Sequence, residues 1–302
     1  MTLRTLFQHL RGDATAPDAP ADAATPVASP AVRALVAEVR YELVPLKSVD
    51  GAIDALPPGS PVSVTCSPTK GVDTTLELTA RLIDLGHDAV PHLSARMVEG
   101  PIHVERIAAW LRDHGCEEVF VIAGDAAPPH GPYHDGMAFL RELFEQETPL
   151  QRVGVPGYPD GHPLIDSGAL AEALHEKQAL IAEAGLRGSM TTQMCFDASR
   201  IRSWIVDVRA AGLTMPIDLG VPGVVDRARL MSMGVRLGVG ASLRYLRKNR
   251  AVLKLVGPSG YDPSELVADL AEDAEALGID GLHSFTFNSV AETAAWQSAV
   301  LG

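Results

Sequence analysis

One unit recurs along most of this chain: a stretch of helical periodicity, a glycine, then a short apolar run rich in β-branched residues. Gly86 precedes Ala89-Val90-Pro91-His92-Leu93, Gly115 precedes residues 119–123, and Gly185 precedes residues 189–196. Gly212 and Gly278 repeat the pattern ahead of residues 215–221 and 282–287. A glycine at such a point fits a left-handed helix C-cap. With runs at residues 40–44, 62–66 and 152–157, about eight candidate strands result. The intervening segments carry amphipathic spacing, as in Leu78, Leu82, Ile83 and Leu85, or Val104, Ile107 and Leu111, or Ile201, Trp204, Ile205 and Val208. Strands alternating with amphipathic helices imply a parallel sheet. Eight such units over about 270 residues fit a closed (β/α)8 TIM barrel better than an open sheet.

Residues 14–30 are almost wholly Ala, Pro, Asp, Thr and Ser, and Pro17, Pro20, Pro26 and Pro30 oppose any regular helix there. Ahead of this flexible segment, Leu3, Leu6, Phe7 and Leu10 have the spacing of a short helix that could dock on the main body. The expected organisation is therefore an N-terminal helix and linker over residues 1–30 and a single barrel domain over residues 31–302. A hydrophobic content of 46% supplies a sizeable core. The net charge of -13 excludes nucleic acid and anionic membranes as partners and leaves a small molecule. Cys66, Cys116 and Cys195 are odd in number and widely spaced, which yields neither a disulfide framework nor a zinc ribbon. The start of the chain lacks a signal-peptide core, and no apolar run is long enough to span a bilayer. A cytoplasmic protein of unknown oligomeric state is expected.

In a (β/α)8 barrel chemistry sits at the C-terminal ends of the strands. Glu42, Cys66, His92, Asp125, Tyr158 and Gln193 fall there. Glu42, in Tyr41-Glu42-Leu43, is an acid on a strand. Apolar surroundings favour its protonated form, which suits a general acid, and the alternative is an acid paired with an Arg inside the barrel. Asp125 ends the run at residues 119–125 and either presents its carboxylate to the mouth or caps the next turn. His92 and the segment Tyr158-Pro159-Asp160-Gly161-His162-Pro163 also follow strands; packing and turn formation are their ordinary uses. Gln193 can donate and accept at once, as a heteroaromatic ring edge requires, or be satisfied by backbone. His130 and His134 have ligand-like spacing, but Pro129 and Pro132 break the helix that would align them, so no metal site is expected. Gly238 and Gly240, followed by Arg244, Arg247, Lys248, Arg250 and Lys254, form either a solvated basic helix or a site for an anionic ligand tail.

Assembled in order, these segments resemble the methylenetetrahydrofolate reductase family from about residue 39 to residue 301. The likeness rests on Tyr41-Glu42-Leu43-Val44-Pro45, Val62-Ser63-Val64-Thr65, Ala89-Val90-Pro91-His92-Leu93 and Gly124-Asp125 with Pro128-Pro129. It continues in Tyr158-Pro159 with His162-Pro163, Thr192-Gln193 with Phe196-Asp197, and His283-Ser284-Phe285-Thr286-Phe287-Asn288. The resemblance implies a barrel enzyme of one-carbon metabolism that reduces 5,10-methylenetetrahydrofolate to 5-methyltetrahydrofolate. It makes Glu42 the acid that protonates N10 and Asp125 the charge that favours the cationic intermediate. Gln193, Thr65, Tyr158 and Leu243 would contact the folate, and His92, His162 and Ala123 would contact the cofactor.

Departures from the family pattern bear on the flavin. Ala123 stands where the family carries Arg before Gly-Asp. Leu180, Ile181 and Ala182 stand near its flavin-binding lysine, and Leu174 and His175 near its flavin-binding aspartate. Losing such anchors, at about 1 to 3 kcal/mol each, makes FAD doubtful. NADH or NADPH is then expected to deliver hydride directly. Two alternatives stay open: an FAD-dependent reductase with other anchors, and a non-catalytic folate or nucleotide binder.

Overall fold

Eight parallel strands close into a barrel in this computed structural model, which describes residues 28–67, 69–226, 256–257 and 260–302. The barrel strands are β1 (Val39–Leu43), β2 (Pro61–Val64), β3 (Asp88–Ser94), β4 (Glu118–Ile122), β5 (Arg152–Gly157), β6 (Arg187–Thr192) and β7 (Ile217–Pro222). The eighth, β10 (Ile279–Phe285), pairs with β7 on one side and closes on β1 on the other. Between β7 and β10 lie the short antiparallel pair β8 (Val256–Gly257) and β9 (Gly260–Tyr261). The helices are α1 (Pro30–Ala37), α2 (Val49–Asp54), α3 (Gly71–Asp84), α4 (Pro101–Asp113), α5 (Gly136–Phe144), α6 (Ser167–Glu183) and α7 (Ala198–Ala210). Three more follow: α8 (Ser264–Ala271), α9 (Ala274–Leu277) and α10 (Val290–Leu301). None of the described helices is long and apolar enough to cross a membrane.

The expected (β/α)8 fold is the observed one, and Gly86, Gly115, Gly185, Gly212 and Gly278 all have positive φ. Three boundaries differ from expectation. Pro30 opens α1 instead of opposing it, because the first turn of a helix needs no N–H from that residue; Ser29 caps it by accepting from the Val32 N–H. Strand β4 ends at Ile122, three residues short of Asp125, and β6 ends at Thr192. The proposed helix at residues 1–11, most of the Ala/Pro-rich segment, Leu243 and the basic cluster at residues 244–254 lie outside the described residues.

Strand alternation divides two environments. Outward residues such as Leu43, Val62, Val64, Leu93, Val119, Val121, Val153 and Leu219 are buried against Leu82, Ile107, Leu111, Phe139, Leu143, Ile181, Ile205 and Val267 of the helices. This layer holds the fold together, each such side chain contributing about 1.5–3 kcal/mol. Tyr41 points outward too, and its hydroxyl bonds to Gln297 on α10. Arg40 and Glu42 therefore face inward. Near the N-terminal strand ends Arg40 pairs with Asp88 (3.1 Å) and Glu118 (3.6 Å), and Arg152 approaches Glu118 at 4.0 Å.

Two predictions follow from this packing. A Cβ added at Gly220 would sit 1.9 Å from the Thr192 carbonyl oxygen and 2.8 Å from the Phe285 ring. Gly220→Ala is expected to destabilise the barrel by about 1–3 kcal/mol, read as a lower denaturant midpoint with unchanged slope. Burial raises Glu118 above its ordinary value of 4.5, partly offset by Arg40 and Arg152, and raises Asp218 in the same way. In that window the folded chain binds more protons than the unfolded one, so these groups make stability fall as pH rises from about 4.5. Denaturation of the Glu118→Gln protein across pH should show a shallower fall than wild type.

Candidate active site

Glu42 lies on β1 with its carboxyl group buried, and His283 Nε2 lies 3.1 Å from its Oε2. The imidazole is 3% exposed and the carboxylate 8%. Among the described residues no arginine pairs with Glu42: Arg40, on the same face two residues earlier, is engaged at the other end of the barrel. His92 on β3 joins from across the interior, its ring 5.9 Å from that of His283 although β1 and β2 separate their strands. Phe120 packs 4.6 Å from His92 and 6.5 Å from His283, and Phe285 lies 5.1 Å from His283. His92 is therefore not at a strand end, as expected, but inside β3 and buried. Burial, with the charges of His283 and Arg40, holds it well below the usual imidazole range. Burial thus favours its neutral form, and among the described residues its Nε2 has no hydrogen-bond partner.

The ligand atoms of Glu42, His92 and His283 all lie within 4.8 Å of one another. Two imidazoles and a carboxylate are a donor set that a divalent transition metal accepts. A metal seated there would occupy the carboxylate and remove a proton donor. Sequence reasoning looked for ligands at His130 and His134 and did not find this group.

Around the mouth, the loop after β4 turns at Gly124. Its φ is +84°, and a Cβ there would fall 1.7 Å from Ser94 Oγ, so only glycine fits. The Ala123 carbonyl accepts from the Arg96 N–H at 2.9 Å and from Ser94 Oγ at 3.4 Å, which anchors the turn. Asp125 stands beyond it, exposed. Tyr158 follows β5; burial first, then the charge of Asp125, pushes its phenol up to about 12, so it remains a donor. Its ring meets His162 edge-on at 5.3 Å, and His162 Nδ1 accepts from the Leu164 N–H. Gln193 donates its backbone N–H to the Gly157 carbonyl at 2.7 Å, and its side-chain oxygen accepts from the Met194 N–H at 2.8 Å. Among the described residues its amide nitrogen makes no hydrogen bond. Thr65, just past β2, donates its N–H to Leu43 and accepts from Thr75 through its carbonyl.

Asp125, Tyr158, Gln193 and Thr65 thus share the C-terminal end of the barrel, above the interior that holds Glu42 and His92. A cavity of about 1100 Å³ opens at the opposite end, lined by Arg40, Asp88, Glu118, Arg152 and Asp218. Its size does not make it the catalytic site, because it lacks Glu42 and holds the paired charges. Phe120 was not singled out from sequence, and His283 was named only within the last family-like segment, with no role of its own. The signal for His283 was present in its inward parity with Phe285 on the last strand.

Of the positions near the family's flavin anchors, His175 and Leu180 are half-buried and Ala182 is exposed, whereas Leu174 is 4% exposed and Ile181 1%. Neither can offer a polar group to a cofactor at the mouth, so those two positions do not fit the usual mode of flavin binding.

Comparison with known proteins gives concordant matches. Over 164 residues the chain is 27% identical to "Methylenetetrahydrofolate reductase 2" of Saccharomyces cerevisiae, covering 51% of this chain and 26% of that protein. Over 237 residues it is 22% identical to "Methylenetetrahydrofolate reductase 1" of Schizosaccharomyces pombe, covering 73% and 36%. Over 178 residues it is 26% identical to "Probable methylenetetrahydrofolate reductase (NADPH)" of Caenorhabditis elegans, covering 57% and 23%. The chain spans roughly a quarter to a third of the length of these relatives. A solved structure described as an uncharacterized protein from Clostridium thermocellum that binds two copies of 5-methyl-5,6,7,8-tetrahydrofolic acid shares the fold. Its TM-score is 0.57 at 13% identity, over 87% of this chain and 94% of that one. The family model for methylenetetrahydrofolate reductase matches residues 52–234, a span that holds Thr65, His92, Asp125, Tyr158 and Gln193. Since that match runs through more than half of the sequence, the chain belongs to the methylenetetrahydrofolate reductase family.

Proposed function

We propose that this chain reduces 5,10-methylenetetrahydrofolate to 5-methyltetrahydrofolate with NADH or NADPH as reductant and with little or no bound flavin. The observation that carries the reading is Glu42: a carboxyl group buried inside the barrel, hydrogen-bonded to a histidine, below a mouth lined by donors and acceptors. Family membership supports the substrate class, and the Clostridium thermocellum protein adds that a barrel of this shape accommodates reduced folate.

Glu42 gives its proton to N10, the bond from N10 to the bridging carbon breaks, and that carbon becomes an iminium on N5. Asp125 supplies negative charge that favours the cation over the neutral substrate. Gln193, Thr65 and Tyr158 orient the pterin through their free donors and acceptors. Dihydronicotinamide supplies the hydride when bound, and direct transfer needs donor and acceptor carbons about 3–3.5 Å apart. Ala123, His92 and His162 form the cofactor side of the site. The methyl of Ala123 leaves room where the family carries an arginine, and His92, neutral, adds no charge against the oxidised nicotinamide that forms. Water then restores the proton to Glu42. Burial pushes the Cys116 thiol up to about 12 and raises Cys66, so both are poor nucleophiles and take no part in the chemistry.

Glu42→Gln is expected to lower turnover at least about a hundredfold with binding of folate retained, as measured by NADH oxidation against calorimetric affinity. Wild-type protein freed of flavin by gel filtration should be colourless and fully active. Activity that returns only on adding FAD would overturn the flavin-free part of the proposal.

A further inference from the structure

Glu42 is gripped from one neighbouring segment, residues 283–288. His283 Nε2 meets its Oε2, Thr286 Oγ1 donates to its carbonyl oxygen at 2.6 Å, and Asn288 holds the next turn of chain. Asn288 Oδ1 accepts from the Val44 N–H at 2.9 Å, and its Nδ2 donates to the Val44 carbonyl at 2.9 Å and to Ser48 Oγ at 3.1 Å. The backbone pairing of β1 with β10 ends at Glu42 opposite Phe285, so these side chains extend the grip beyond the ladder. Backbone strain makes this possible. Phe287 and Asn288 have φ of 50° and 65°, and Phe287 is bulky and 4% exposed. A large side chain stays in the left-handed region only where its surroundings over-determine it. Here that turn sends Asn288 back onto β1. Phe120 and Phe285 flank the His283 ring and limit its rotation.

We infer that His283 is a positioning residue for Glu42: its Nε2–H occupies Oε2, so that the acid proton resides on Oε1. This rests on the reading of Glu42 as the proton donor. A carboxyl group with one oxygen held by a fixed donor keeps a single orientation, and the proton it transfers has a single location. No charge needs to move within the pair for this to work. The role differs from catalysis by His283 itself, because its Nε2 is engaged by Glu42.

Two substitutions separate the donor from mere packing. His283→Gln keeps an N–H at the reach of Nε2, and His283→Leu removes it. The leucine variant is expected to lose about tenfold or more in kcat with KM for methylenetetrahydrofolate changed less than about twofold, and glutamine should restore most of the loss. Nitrogen-15 spectra of histidine-labelled, ligand-free protein should show His283 protonated at Nε2, with a signal that shifts in Glu42→Gln. Equal turnover of the leucine variant and wild type, equal loss in both variants, or an Nε2 signal blind to Glu42→Gln would each overturn the inference. The spectra also decide it if a variant fails to fold. An inert wild-type protein that still shows the shift supports the pair and removes the reductase reading instead.

Discussion

The carboxyl group of Glu42, placed inside a barrel, is the constraint around which the site is arranged. An unpaired buried carboxylate costs several kcal/mol, so a position like this persists only with a partner or a proton. The chain answers by sorting its internal polar groups along the barrel axis. Arg40 and its acidic partners occupy the N-terminal end, the rings of Phe120, His92, His283 and Phe285 lie within, and Glu42 sits among them with one imidazole bonded to it. Arg40 and Glu42 are two residues apart on one face of one strand and have separate partners. That separation leaves His283, and not Arg40, as the partner of the Glu42 carboxyl group.

The same economy of positions bears on the cofactor. Leu174 and Ile181 lie in the layer between α6 and the barrel, where they fill core volume beside residues such as Met215 and Gly188. A side chain committed to that layer cannot also reach the mouth. Ala123, pinned through its carbonyl to Ser94 and Arg96, keeps the β4 loop in place while offering only a methyl group. The polar groups that remain at the mouth, Asp125, Tyr158, Gln193 and Thr65, are those that suit a pterin. The buried, apolar Leu174 and Ile181 support the proposed reading in which a nicotinamide delivers hydride directly.

The barrel was legible because its signals are local. Helical spacing, β-branched runs and glycine C-caps repeat within short windows, and each strand's parity can be read from its own residues. Glu42 and Asp125 could be placed near the mouth on that basis alone. His283 could not be tied to Glu42, since 241 residues separate them and only barrel closure brings β10 beside β1. His92 was placed at an edge because a strand's last residue is set by pairing with its neighbour; β3 pairs on to Ser94 opposite Ile122. Asp125 was placed in the strand for the converse reason, since pairing stops before Gly124 turns the chain. The left-handed turn at Phe287 gave no sequence signal, because no glycine marks it. Glu42 and His283 also fall outside the 52–234 family match, so that match does not bear on their proposed roles.

The central claim, hydride passing directly to a carbon made electrophilic by Glu42, is tested most directly with reductant carrying deuterium at the transferable position of its nicotinamide. Direct transfer leaves that deuterium in the methyl group of 5-methyltetrahydrofolate, as mass spectrometry of the product would show, with full retention in ordinary water. A flavin intermediary exchanges its carried hydrogen with solvent, so a product methyl group without deuterium, or no product from flavin-free protein, would contradict it.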